Sequence, residues 1–103
     1  MDRQQAAQFM LDCLRKMVAK KGSDLFISAG FPPACKIDGR MTPISDQALS
    51  SAQTNVLVRS IMSDRQIRDF DATKECNFAS SPQTIGRFRV NAFIQQGHCG
   101  AVL

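Results

Sequence analysis

The run Gly86-Arg87-Phe88-Arg89-Val90-Asn91-Ala92-Phe93-Ile94 constrains this chain more than any other. Side chains alternate across a strand, so Phe88, Val90, Ala92 and Ile94 share one face, and Arg87, Arg89, Asn91 and Phe93 share the other. A strand with one apolar face must bury that face against a second layer. The pattern predicts one long strand over 85–95, a turn at Gln96-Gly97-His98, and a last strand over 99–103. That last strand stops without a C-terminal signal, as expected of a domain cut from something longer.

The rest of the sequence supplies the second layer. Residues 5–21 carry a helical period, with Ala6, Met10, Cys13, Leu14, Met17 and Val18 on one stripe. Gly22 is expected to take the left-handed position that ends this helix. A strand follows over 23–28, then a rigid loop containing Pro32 and Pro33. Two short strands, 34–37 and 40–44, flank Asp38-Gly39, a favoured pair for a type I′ hairpin turn. Ser50 with Gln53, and Ser63 with Gln66, each fit the S-x-x-Q capping box and start helices at about 51–62 and 64–71. Residues 74–80 form a further strand, and Ser81-Pro82-Gln83 turns the chain. Arg65, Arg68 and Asp69 read as a solvated face.

The order α-β-β-β-α-α-β-β-β with short connections implies α+β architecture: a mostly antiparallel sheet with helices on one face, the pattern of a PAS-like module. Met10, Leu14, Leu25, Ile27, Val56, Ile61, Phe78, Phe88 and Val90 are the expected core. At 103 residues the chain is one domain at most, 1–103. It has no apolar run long enough for a transmembrane helix, and its polar start is not a secretory signal, so it reads as cytosolic. Cys13, Cys35, Cys76 and Cys99 show no metal-ligand spacing and read as free thiols, three of them buried. No metal site is expected.

Enzyme motifs are missing: there is no G-x-x-x-x-G-K-[ST], G-x-S-x-G, H-E-x-x-H or G-x-G-x-x-G. His98 has no nucleophile near it in sequence, and no catalytic residue is assigned. What remains is the pair Arg87 and Arg89 with Asn91 next in line. Two guanidinium groups on one strand face can converge on a phosphate or a carboxylate cluster. The same residues also fit a solvated sheet face with cross-strand ion pairs. An RNA-recognition strand is excluded, because alignment on Gly86 puts Arg87 and Arg89 where stacking aromatics belong. No nucleic acid and no membrane insertion are expected.

Four blocks in order carry a resemblance: Gly22-Ser23-Asp24-Leu25-Phe26-Ile27-Ser28-Ala29-Gly30-Phe31-Pro32-Pro33, Lys36-Ile37-Asp38-Gly39-Arg40, Glu75-Cys76-Asn77-Phe78-Ala79, and Ile85 through Phe93. Together they resemble the N-terminal domain of the type IV pilus retraction (twitching motility) ATPases, the PilT/PilU members of the secretion ATPase superfamily. Phe26 stands where PilT-like sequences usually carry histidine, and Glu75-Cys76-Asn77-Phe78 is similar to the PilU branch. The resemblance implies a PAS-like N-terminal domain, a RecA-like ATPase domain beyond Leu103, a hexamer, and ATP with magnesium between domains of the parent. It implies that Arg87, Arg89 and Asn91 face nucleotide phosphate or a neighbouring subunit. It also implies contact with related PilT-type ATPases and pilus base proteins at the cytoplasmic face of the inner membrane. This chain alone is expected to bind no cofactor tightly and to hydrolyse no ATP. Two other classes compete: a free-standing PAS-like sensor with a ligand in its core, and an interaction adaptor using an apolar patch at Phe26, Phe31 and Phe93.

Overall fold

The computed structural model describes residues 1–82 and 85–103. In chain order the elements are α1 (Arg3–Ala19), β1 (Asp24–Ile27), β2 (Ala34–Ile37), β3 (Arg40–Pro43), α2 (Ser51–Ser60), α3 (Asp64–Thr73), β4 (Glu75–Ser80), β5 (Phe88–Gln95) and β6 (His98–Val102). The fold is α+β, as the patterning requires. One six-stranded sheet runs β3-β2-β1-β6-β5-β4 with every pair antiparallel. The expected turn at Ser81-Pro82-Gln83 runs into Gln83, which lies outside the described residues.

Each helix starts on a reciprocal cap. Ser50 and Ser63 accept from the backbone N–H of Gln53 and Gln66, whose side-chain carbonyls accept from the cap N–H groups in return. A third box stands at the start of α1: the Asp2 carboxylate accepts from Gln5 N–H at 2.8 Å, and Gln5 Oε1 accepts from Asp2 N–H at 3.0 Å. At the other end of α1 the left-handed residue is Lys21, at φ 58°, and not Gly22. Gly22 is required by space instead. A Cβ there would meet Met17 Cγ at 2.8 Å and the Lys36 carbonyl oxygen at 3.2 Å. The hairpin turn is as expected, with Asp38 and Gly39 both at positive φ.

Register decides which face is buried. Leu25 opposes Cys35, Ile27 opposes Ala101, Ala101 opposes Ala92, and Val90 opposes Phe78, so these side chains share one face. That face meets Ala6, Met10, Cys13, Leu14 and Met17 of α1, Leu57 and Val58 of α2, and Phe70 of α3 in one core. The helices therefore cover a single side of the sheet. Val18 departs from expectation and is 47% exposed, because it lies about 100° round the helix from Met17. Val56, Ile61, Phe78 and Phe88 are half-buried rather than buried. Phe78 and Phe88 stand at the rim, on the edge strand and at the first position of β5, while Ile61 is the C-cap of α2.

Candidate functional site on the open sheet face

The residues of opposite parity form the uncovered face. Its central row crosses all six strands: Pro43, Ala34, Phe26, Val102, Asn91 and Asn77 are successive partners. One row along, Glu75 opposes Phe93, which opposes Gly100. The Phe93 ring lies across Gly100, where a Cβ would meet Phe93 Cε2 at 2.9 Å and the Ile27 carbonyl oxygen at 3.0 Å. In the other direction Arg89 stands opposite Ala79.

Arg89 and Asn91 thus sit side by side on β5, both exposed, on the face away from the core. Arg87 is exposed too, but it lies before the strand rather than within it. The ladder ends at the pair Ser80–Phe88. Past it the opposing chain carries Pro82, which has no N–H to offer, and Gly86 turns away at φ 138°. Arg87 therefore stands in the loop ahead of β5, outside the ladder that carries Arg89. Among the described residues neither arginine forms a salt bridge.

The other half of the face is apolar. A cavity of about 370 Å³ is lined by Phe26, Ser28, Phe31, Pro32, Ala34, Met41 and Pro43. Phe31 and Met41 are 66% and 56% exposed. A second hollow shares Ser28 and Phe31 and extends under Phe93 toward His98 and Cys99. Burial pushes the Cys99 thiol up to about 11, so it is a packing group there and not a nucleophile.

Two contacts were not visible in the sequence. His98 Nδ1 lies 3.0 Å from Ser51 Oγ, tying the start of β6 to the first turn of α2. His98 has no nucleophile near it in sequence, and the hydroxyl it meets in the fold is 47 positions away, where no local pattern joins the two. Among the described residues the ring has no carboxylate hydrogen-bond partner. Arg59 Nη2 pairs with Asp71 at 2.7 Å and its guanidinium lies 5.1 Å from the Phe70 ring centroid, locking α2 to α3. Among the described residues no cluster of three His, Cys, Asp or Glu side chains gathers to hold a metal, and no helix is long and apolar enough to cross a membrane.

No protein-family model matches the chain. The chain is 52% identical over 90 residues to the type IV pilus ATPase PilU of Pseudomonas aeruginosa, a match covering 87% of this chain and 24% of that protein. It is 42% identical over 85 residues to the type IV pilus retraction ATPase PilT of the same organism, covering 82% and 25%. The chain thus spans about a quarter of the length of these relatives. Among solved structures, the pilus retraction motor PilT with bound ADP superposes with a TM-score of 0.82 at 28% identity, over 89% of this chain and 27% of that one. The Legionella pneumophila ATPase DotB shares the fold, with a TM-score of 0.77 at 24% identity over 94% of this chain and 28% of that one.

Proposed function

We propose, for a chain that is an N-terminal domain of the type IV pilus retraction ATPases and stands nearer PilU than PilT, that its open sheet face is the working surface. In this reading Arg89 and Asn91, joined by Arg87 from its loop, contact nucleotide phosphate or the adjoining subunit. A RecA-like domain follows Leu103 in the parent and carries the phosphate-binding loop, the catalytic residues and the magnesium. The parent assembles as a cytoplasmic hexamer that drives twitching motility with related PilT-type ATPases and pilus base proteins. The chain by itself regulates and assembles, and turns over no ATP.

The observation that carries the reading is Arg89: an exposed guanidinium on a strand paired on both sides, with Asn91 beside it and no salt bridge among the described residues. Fixed positive charge of that kind suits a phosphate or a carboxylate arriving from outside. The free-standing sensor is disfavoured, because its ligand would need the space that Met10, Leu25, Leu57, Phe70 and Val90 fill at zero exposure. The apolar cavity beside Phe31 and Met41 favours a second, compatible reading, in which another protein surface docks on the same face.

The test uses the full-length parent. Arg87→Ala with Arg89→Ala should lower the ATPase rate by roughly ten- to a thousand-fold. The melting temperature should scarcely move, since exposed arginines contribute little to stability. Lysine at both positions should restore little, because the planar fork is lost. A folded double-alanine variant with full activity refutes the assignment.

A further inference from the structure

We infer that the free edge of β4 is an association surface and that its occupant is the same edge of a second copy of this chain. The inference goes beyond the reading above and stands independently of any nucleotide role.

The direction of the backbone groups follows from the ladder. Ile94 N–H donates to the Lys74 carbonyl at 3.0 Å, and the register Glu75–Phe93 sets Lys74 opposite Ile94. Bonded and non-bonded pairs alternate along an antiparallel ladder. Cys76, Phe78 and Ser80 therefore direct their N–H and C=O groups to β5, while Glu75, Asn77 and Ala79 direct theirs outward. Thr73 Oγ1, which donates to the Glu75 carbonyl at 2.9 Å, agrees with that direction. Among the described residues no strand lies beyond β4.

The two edges of the sheet differ in how they are protected. The β3 edge is four residues long, opens on Arg40 and closes on Pro43, which has no N–H. Charge, proline and shortness all blunt an edge against pairing. The β4 edge runs six residues and its only charged member is Glu75, at one end.

A second β4 fits this edge in one register best. Antiparallel pairing about Asn77 brings Glu75 opposite the partner's Ala79, Asn77 opposite the partner's Asn77, and Ala79 opposite the partner's Glu75. All three are bonded pairs by register, with the Glu75 carbonyl using its second lone pair because the first already accepts from Thr73 Oγ1; a shift by two residues loses one pair. The charges also match. Ala79 already lies opposite Arg89 on the open face. The partner's Glu75 then stands two strands from Arg89, with only the small Ala79 side chain between them. Two-fold symmetry repeats the match. Such an isologous contact joins two copies and goes no further.

The experiment is sedimentation equilibrium on the 103-residue chain from about 10 µM to about 1 mM, a range that resolves weak dimers. A monomer–dimer equilibrium is expected. Asn77→Pro removes an outward donor and no bond to β5, and should weaken the dimer about tenfold or more. Glu75→Arg and Arg89→Glu should each weaken it, and the combined charge reversal should restore it. Circular dichroism checks that each variant is folded, and the charge pair decides the matter if the proline variant is not. A monomer throughout the range overturns the inference. So does a dimer indifferent to these variants but lost on Phe31→Asp, which would place the contact at the apolar cavity. A combined reversal no better than either single variant overturns it as well.

Discussion

Gly100 is the residue on which the open face turns. Its own position leaves no room for a side chain, and the absence of one lets Phe93 lie flat over β6. Gly100→Ala should cost about 1–3 kcal/mol, the usual range for overpacking, read as a lowered urea midpoint. Adding Phe93→Ala should recover only part of the loss, because the Ile27 carbonyl, a backbone atom at 3.0 Å, cannot step aside. Full recovery would show that the ring alone sets the constraint. Phe26 is the other telling residue on this face. It sits between Ala34 and Val102 and lines the apolar cavity. Phe26→His would give that cavity a polar wall.

The helices depend on their caps more than on their composition. α3 is the clearest case: apart from Ile67 and Phe70 it is polar or small, and Phe70 is its one buried side chain. Ser63→Ala removes the acceptor for Gln66 N–H and should cost about 1 kcal/mol by urea denaturation. A loss below experimental error would mean that Phe70 and Arg59 hold the helix unaided. Much at this scale was legible, because the signals are short-range: Ser50-x-x-Gln53, Ser63-x-x-Gln66 and Asp38-Gly39 each act within four residues. Asp2-x-x-Gln5 carries the same kind of signal with aspartate in place of serine, and it fixes the start of α1 two residues earlier than the apolar stripe suggests. The exchange between Lys21 and Gly22 was not legible. What excludes a side chain at Gly22 is Met17 one turn back and Lys36 on another element. The start of β5 was hidden for a similar reason, since alternation continues through Arg87 while its partner strand does not. Asn91 and Arg89 were readable as one face from parity alone. Their distance from the apolar cavity depends on sheet order, which no local pattern encodes.

Across the whole molecule, three of the four cysteines are buried. Burial lifts Cys13 and Cys99 from 9.0 to about 11. The sign is definite: the native thiols keep their protons where those of the unfolded chain have lost them. This contribution is intact below about pH 9 and is lost as pH climbs toward about 11. The urea midpoint should therefore fall over that interval, and Cys13→Ala with Cys99→Ala should flatten the decline. An unchanged slope in the double variant would assign the alkaline loss to other groups. The strand order has its own consequence for how such a molecule is made. β1 and β6 meet at the middle of the sheet, where Leu25 and Leu103 exchange backbone bonds of 2.8 and 2.9 Å. A ribosome delivers the first half, α1 with β1 to β3, on the order of several seconds before β6 emerges. Throughout that interval the inner edge of β1 is bare. Its partner cannot be borrowed from the neighbouring hairpin, since β2 already holds the other side. A message stalled short of the last strand releases two half-sheets with open seams, a template for aggregation rather than a smaller copy of the domain.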